Sequence, residues 1–282
     1  MMNKFLIAVF ACLVAIFSCK GNKATYGDEE APADSIDSLG MAVADSVEVL
    51  SAETMVPRAA DELFDDFFFN FIVNKKMQKS RIKFPLPVVD GDKKEMIAKE
   101  EWKMDHFFMN QGYYTLIFDN HKQLNLLKDT SVSHVTVEKI YLDKKRVKQY
   151  VFGRENGLWQ LNSIKLTDTY NVKNASFIDF YQKFANDTAF QIQHLCNPVA
   201  FTGPDPDDDF QQMEGVITPD TWLAFSPEIP VKMIYNIVYG QNYTESNRKI
   251  FLIRGIANGL EIEMVFKRQK ATGQWLLTEF SS

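Results

Sequence analysis

One stretch of this chain occurs twice. Residues 64–86 read FDDFFFNFIVNKKMQKSRIKFPL and residues 177–199 read FIDFYQKFANDTAFQIQHLCNPV, and the two segments align without a gap. The shared aromatic, acidic, amide, aliphatic and proline positions are Phe64 with Phe177, Asp66 with Asp179, Phe67 with Phe180, Phe68 with Tyr181, Phe71 with Phe184, Gln78 with Gln191, Ile82 with Leu195 and Pro85 with Pro198. Internal repetition indicates a duplicated structural unit. We therefore predict two tandem repeats, over residues 61–167 and 174–282.

The first nineteen residues have the features of a bacterial lipoprotein signal. Lys4 precedes an uncharged apolar run, residues 5–17, that is too short to span a bilayer comfortably. The run ends in a small residue and Cys19, the pattern of a cysteine that is lipidated and becomes the first residue. An ordinary cleaved signal peptide is the alternative. In well-known bacterial systems an aspartate directly after the lipidated cysteine retains a lipoprotein at the inner membrane, and here that position is Lys20. We therefore predict an outer-membrane lipoprotein, on the periplasmic or the surface face. It would contact the membrane only through its lipid.

Residues 20–60 are predicted to form an acidic, flexible tether. They have few aromatic residues and no sustained period, so they cannot bury enough apolar surface to offset the entropy of ordering. From Lys20 to Glu62 there are ten acidic and three basic residues, whereas the whole chain has a net charge of −6, so the rest of the chain is close to neutral. Nucleic-acid-binding domains carry a basic excess, so nucleic acid is not expected as a partner.

The three cysteines do not provide a disulfide framework. Cys12 leaves with the signal and Cys19 would carry lipid, so Cys196 has no partner. The exported protein must therefore depend on an apolar core, and 46% hydrophobic and 13% aromatic residues supply the material for one.

Each repeat is predicted to begin with a helix and to end in strands. The first helix has an apolar stripe at i, i+3, i+4 and i+7, formed by Phe64, Phe67, Phe68 and Phe71, and the second repeat has the same stripe. The helices are expected to end before Pro85 and Pro198. A polar loop and a second short helix with Trp102 or Trp222 follow. Strand-like runs lie near residues 113–118, 132–142, 147–154 and 158–166, and near 231–239, 248–256, 261–267 and 274–280. Helices packed on a curved antiparallel sheet give an α+β fold in each repeat.

The order of these elements resembles a known superfold. The two repeats also match in their last strands, where Val151-Phe152 aligns with Val265-Phe266 and Trp159 with Trp275. The chain resembles tandem nuclear transport factor 2-like cones of the cystatin-like superfold, and behind a lipoprotein signal it is similar to an uncharacterised family of Gram-negative gut-bacterial lipoproteins. The resemblance implies a sheet that wraps a helix and leaves an open mouth. Because many members form dimers through the sheet, it also implies that two copies in one chain pair with each other.

Enzymes of this superfold use an Asp or His base beside a Tyr or an acid, and the nearest material here is Asp105-His106 with Tyr113-Tyr114. Neighbouring residues of a helix point in different directions, so Asp105 cannot orient His106. We expect Asp105-His106 to lie at a solvent-facing helix end without a catalytic role.

Two other groupings also have ordinary explanations. His194 and Cys196 are two residues apart and lack a third orienting group, so a Cys at a helix end is favoured over a nucleophile. Asp205, Asp207 and Asp209 begin like a calcium loop that lacks its glycine and its bidentate glutamate, so a solvated acidic loop is favoured. Neither a metal site nor a cofactor motif is predicted.

Aromatic residues are the remaining candidates for a ligand site. Trp102 and Trp222, near the mouths of the cones, and Tyr113 and Tyr235, on predicted strands, are proposed to face a ligand. Trp159 and Trp275 are assigned to the core. The sequence thus predicts a non-catalytic, lipid-anchored envelope protein that binds a partner protein or a small apolar ligand. The alternative is an isomerase, dehydratase or hydrolase that uses one degenerate cone.

Overall fold

A computed structural model of the protein describes residues 63–205, 207–240 and 246–282, without the side chains of residues 209 and 210. The predicted signal peptide, the lipidation site at Cys19 and the tether of residues 20–60 lie outside this part. Residues 54–282 form one compact unit that contains every strand and both cores described below. No helix among the described residues is long and apolar enough to cross a membrane.

Each half of the chain begins with two consecutive helices. They are α1 (Phe64–Val73) and α2 (Lys75–Ser80) in the first half, and α3 (Ala175–Asn186) and α4 (Thr188–Gln193) in the second; α5 (Trp222–Phe225) follows later. The continuous helix expected before each proline is interrupted at Asn74 and at Asp187, which have extended backbones. Both side chains cap the second helix, Asn74 by accepting from the N–H groups of Lys76 and Met77 and Asp187 from that of Phe190.

Twelve strands form two six-stranded sheets. They are β1 (Leu86–Asp90), β2 (Lys93–Ile97), β3 (Tyr113–Phe118), β4 (His134–Tyr141), β5 (Arg146–Glu155), β6 (Leu158–Asp168), β7 (Leu195–Asp205), β8 (Asp208–Ile217), β9 (Met233–Tyr239), β10 (Arg248–Gly255), β11 (Glu261–Arg268) and β12 (Trp275–Ser281). The first sheet has the order β2-β1-β6-β5-β4-β9 and the second β3-β10-β11-β12-β7-β8. The eight predicted strands are present within a few residues of their expected bounds. The α+β class is confirmed, although the sheets are mixed rather than wholly antiparallel, because β1 pairs with β6 and β7 with β12 in parallel.

The two halves of the chain exchange a strand. β3 belongs to the first half of the sequence but pairs with β10 in the second sheet, and β9 belongs to the second half but pairs with β4 in the first sheet. The exchanged strands also touch each other, since the Thr115 hydroxyl donates to the carbonyl of Tyr235 and accepts from its N–H at 2.9 Å. The repeat boundaries expected from the sequence stay a prediction, and the structure adds that neither sheet is built from one repeat alone.

Two apolar cores lie against the two sheets. In the first, the phenylalanines of α1 pack on Phe152, Trp159 and Tyr239, and in the second those of α3 pack on Phe251, Phe266 and Trp275. Trp159 and Trp275 are therefore core residues, as predicted. Each core also takes residues from the other sheet, for example Leu116 and Leu252 in the first and Ile140 and Ile234 in the second. The exchanged strands β3 and β9 thus contribute residues to both cores.

Candidate functional site

The clearest site is a cleft against the first sheet, with a volume of about 370 Å³. Apolar side chains from three neighbouring strands form its wall: Val88 of β1, Ile97 of β2, and Ile164 and Leu166 of β6. The register places Val88 opposite Ile164, so these residues share one face of the sheet. Residues 98–108, a loop between β2 and β3, close the cleft on the other side with Trp102 and Asp105. The result is a cleft with an apolar wall, which is also lined by four charged side chains: Glu101, Lys103, Asp105 and Lys148.

Trp102 is held in place by Gln78 of α2. The indole N–H of Trp102 donates to Oε1 of Gln78 at 3.1 Å, and Trp102 is 7% exposed at the edge of the cleft. The second half repeats this contact, because the indole N–H of Trp222 donates to Oε1 of Gln191 at 2.7 Å, and Trp222 is fully buried. The tryptophan–glutamine pair therefore supports the fold in both halves. Trp102 alone of the two also lines the cleft.

Asp105 lies beside Trp102, in an irregular loop rather than at the solvent-facing helix end expected from the sequence. The main chain of Asp105 makes two hydrogen bonds to Gln78: its carbonyl accepts from Nε2 at 2.7 Å and its N–H donates to Oε1 at 3.2 Å. Its side chain is only about one-fifth exposed. Oδ1 accepts from the N–H of Phe107 at 2.9 Å, and Oδ2 accepts from the hydroxyl of Tyr150. The expectation of a solvent-facing helix end was wrong for Asp105, because its two main-chain hydrogen bonds to Gln78 hold this loop against α2.

The loop is strained at Phe107. Its φ of 47° lies in the left-handed region that residues with a side chain rarely adopt. The hydrogen bond from the N–H of Phe107 to Asp105 and the contact of its ring with Tyr150, at 4.6 Å between centroids, hold this conformation. Strain of this kind persists only where surrounding contacts over-determine it, and such positions cluster at functional sites.

Two lysines of the first sheet complete the polar end. Nζ of Lys148 lies 3.7 Å from Oδ2 of Asp105 and 4.7 Å from the centroid of the Tyr150 ring. Lys139 is directly opposite Lys148 in the β4–β5 register, and its ammonium lies over the ring of Tyr235. Burial lowers the pKa of Lys148; nearby Asp105 opposes this shift and Lys139 adds to it. Burial also raises the pKa of Tyr150, with the charge of Asp105 adding to the effect, so its phenol stays protonated.

The same positions in the second half are apolar. Counting three residues from the matched tryptophans places Phe225 where the first half has Asp105. The aligned Val151-Phe152 and Val265-Phe266 place Ile262 at the position of Lys148 and Met264 at that of Tyr150. Phe201 there contacts Phe225 and Phe280 at 5.9 and 5.6 Å between ring centroids. Among the described residues, this polar cluster is thus present in the first half, and the corresponding positions of the second half are apolar.

The structure separates the four aromatic residues predicted to face a ligand. Trp102 lines the cleft, whereas Trp222 is buried against Phe280. Tyr113 is half-buried beside the second core, and burial raises its pKa. Tyr235 joins the first core through the exchanged β9, and burial raises its pKa. The buried Tyr235 hydroxyl has no hydrogen-bond partner among the residues that the structure describes. Comparing the repeats strand by strand, Lys148 against Ile262, is the sequence signal that would have found the polar cluster.

Among the described residues, the other candidate groups do not form a comparable cleft with unbalanced charges. The imidazole of His194 stacks on Phe190 at 3.8 Å and its Nδ1 lies 2.7 Å from the carbonyl of the same residue, so it is a packed helix-end histidine. Within the described parts of the chain, no three His, Cys, Asp or Glu side chains are grouped as metal ligands would be. A larger opening of about 630 Å³ lies beside α3, but its Lys145 and Lys183 both pair with Asp179. Asp143, Asp187 and Lys232 also line this opening, so its three lysines are balanced by three aspartates, counting Asp179.

Helices packed on two six-stranded sheets, with a cleft against the first of them, define an NTF2-like cone protein. The chain belongs to the family described as Domain of unknown function (DUF4348), whose model matches residues 43–282. It is similar to the crystal structure of an NTF2-like protein from Bacteroides fragilis, with 38% identity and a TM-score of 0.70 over 79% of this chain and 96% of that one. This likeness confirms the cone-like fold. No curated protein matches the chain.

Proposed function

We propose that this protein binds a small ligand with an apolar body in the cleft of its first cone, without catalysing a reaction. The observation that carries the proposal is the polar cluster of Asp105, Lys148 and Tyr150 at one end of an apolar cleft, in one half of a duplicated fold. Ligand sites are typically apolar clefts of a few hundred Å³ with a small number of convergent polar groups. The cleft fits the lower end of that range.

The bonding of the cluster favours binding over catalysis. A general base must reach the substrate proton with an oxygen that is not already held in place by structural hydrogen bonds. Here one carboxylate oxygen of Asp105 accepts from a backbone N–H and the other from Tyr150, with Lys148 nearby. The phenol of Tyr150 has its proton engaged with Asp105, so it does not offer that proton to an oxyanion. An enzyme that uses this cone is the second candidate, and the buried Asp105–Tyr150 pair is the observation in its favour.

The setting in the cell envelope is part of the proposal. The signal-like residues 1–19, Cys19 and the acidic stretch that follows support a protein anchored by lipid at the outer membrane, on either face. Replacement of Cys19 by serine in the host tests this. The protein should move from the membrane fraction to the soluble fraction, and a chain that stays with the membrane would contradict the lipid anchor.

Blocking the cleft tests the binding role. Native mass spectra and thermal melts of residues 54–282 with lipids, bile acids and glycans should reveal a retained or stabilising ligand. Leu166→Trp, which fills the cleft from β6, should abolish that effect. Lys165→Trp adds the same bulk to the neighbouring exposed position, so it should leave binding intact. A ligand effect that survives Leu166→Trp would place binding elsewhere, and no effect from any compound would favour a protein partner.

A further inference from the structure

The two lysines beside the cleft carry an inference about the ligand itself, which rests on the proposed function. Lys139 and Lys148 are cross-strand neighbours in β4 and β5, and Leu166 and Tyr235 continue the same row across β6 and β9. Like charges directly opposite each other in a sheet destabilise it. Half-burial strengthens their repulsion, because less water screens it. Stability of the sheet therefore does not explain why lysines occupy both of these positions.

The second half of the chain has no lysine pair at the corresponding positions. In the register of β10 and β11, Ile253 stands opposite Ile262 at the positions of Lys139 and Lys148. Ile253 and Ile262 are buried at 2% and 7% exposure, so two apolar residues fill these places well. The first half therefore retains two positive charges where the same backbone elsewhere accommodates none.

One acidic side chain balances only part of this charge. Lys148 lies 3.7 Å from Asp105, beyond hydrogen-bond distance, and lines the cleft. Lys139 makes contacts with the rings of Tyr141 and Tyr235, and no carboxylate pairs with it within the described ranges of the chain. Glu101 and Lys103 also line the cleft and their charges cancel, so Lys139 and Lys148 with the one carboxylate of Asp105 leave a net charge of about +1 beside the apolar wall. That charge fits a ligand with a single negative charge.

We infer that the cleft binds an apolar carboxylic acid, with its carboxylate received by Lys148 and the charge of Lys139 adding to the attraction. The apolar body lies along Val88, Ile164 and Leu166, beside Trp102. Charge-assisted hydrogen bonds to an ammonium group are about twice as strong as neutral ones, so an acid should be preferred over a neutral molecule of the same shape. A ligand with a carboxylate head and an apolar body would contact both Lys148 and the apolar wall. This would explain why the positive charge and the apolar wall occur in the same cleft.

Calorimetry with residues 54–282 tests this, with decanoate, decanol and inorganic phosphate as probes. Decanoate should bind about tenfold or more tightly than either decanol or phosphate. Lys139→Ile with Lys148→Ile, which copies the second half, should remove the preference, so that decanoate and decanol bind alike. Lys139→Met, which keeps the contact of Lys148 with Asp105, should reduce it in part. Lys93→Gln with Lys94→Gln removes two exposed charges of β2 and should leave the preference unchanged.

The outcomes separate the inference from the proposed function. Equal binding of decanol and decanoate to the unaltered protein would overturn the inference and leave the cleft as a site for neutral ligands. Phosphate that binds as tightly as decanoate would show a simple anion site and would overturn the role of the apolar wall. A preference for decanoate that persists in the double isoleucine variant, with a melt showing that it is folded, would assign the carboxylate to other residues. Failure of all three probes to bind would contradict both ideas for ligands of this size.

Discussion

Lys139 of β4 and Lys148 of β5 face each other in register, beside a cleft of the first sheet. The second half of the chain offers a comparison for this pair, because isoleucines occupy the corresponding two places there. The two sheets have corresponding strand orders, so each half of the chain serves as a comparison for the other. What both copies share, such as the tryptophan–glutamine contact, serves the fold, and what only one copy has requires another explanation.

The first prediction concerns the stability of the polar cluster. Changing Asp105, Lys148 and Tyr150 to Phe, Ile and Met copies the second half. Replacement of a buried ion pair by well-packed apolar residues is often neutral or stabilising by about 1–4 kcal/mol. We therefore expect the free energy of unfolding in urea to be unchanged or higher. A loss of more than about 2 kcal/mol would show that the cluster stabilises the first cone and would remove the argument for a functional role.

The second prediction separates the two tryptophans. Trp102→Phe and Trp222→Phe each remove an indole N–H that donates to a glutamine, the buried Gln78 or the partly buried Gln191. Each should lower the free energy of unfolding by about 1–3 kcal/mol, because the glutamine oxygen loses a donor. Only Trp102→Phe should also weaken ligand binding, since Trp102 lines the cleft. Equal effects of the two variants on binding would contradict the assignment of the site to the first cone.

The third prediction follows from the exchanged strands. Phe67 of α1 and Phe180 of α3 belong to different cores, and changing either to alanine should cost about 3–5 kcal/mol. Because β3 and β9 contribute residues to both cores, the protein should unfold in a single cooperative transition, and each variant should lower the midpoint temperature of that transition. Two separable transitions in calorimetry, each moved by only one of the two variants, would show that the halves unfold independently.

The sequence could predict most helices and eight strands because their apolar residues repeat with the helical or the strand period. It could not predict the exchange of β3. Five of the six residues of Tyr113–Phe118 are buried, so both faces are covered, and such a pattern indicates a buried strand without indicating its neighbours. The sequence also does not predict the hairpins β1–β2 and β7–β8, because residues 93–95 and 204–209 are charged or proline-rich, a composition typical of loops. In the site, Trp102 was found as an aromatic residue, whereas Asp105 acquires its partners only through the fold.

The fourth prediction concerns a buried carboxyl between the halves. Glu138 of β4 accepts from the amides of Asn236 at 3.0 Å and Gln149 at 2.9 Å, and it is 3% exposed. Burial raises the pKa of Glu138 above its ordinary value of 4.5, and these hydrogen bonds oppose the shift. The folded state therefore holds this proton more tightly than the unfolded state does. Its contribution to stability is present below pH 4.5 and is lost as the pH rises through the folded pKa.

Urea unfolding at a series of pH values checks this against Glu138→Gln, which cannot titrate. The free energy of unfolding of the unaltered protein, relative to the variant, should fall as the pH rises from about 4.5 and then become constant. A difference that stays flat or increases over this range would mean that the folded protein keeps Glu138 ionised with its pKa unshifted or lowered.

The central claim is that one cone of the two binds a ligand. The most direct measurement is the stoichiometry, by calorimetry and native mass spectrometry, of the tightest ligand on residues 54–282 and on the variant with Phe, Ile and Met in place of Asp105, Lys148 and Tyr150. We expect one molecule per chain for the unaltered protein and none for the variant, with the variant still folded. Two molecules per chain, or one that remains on the folded variant, would contradict the account.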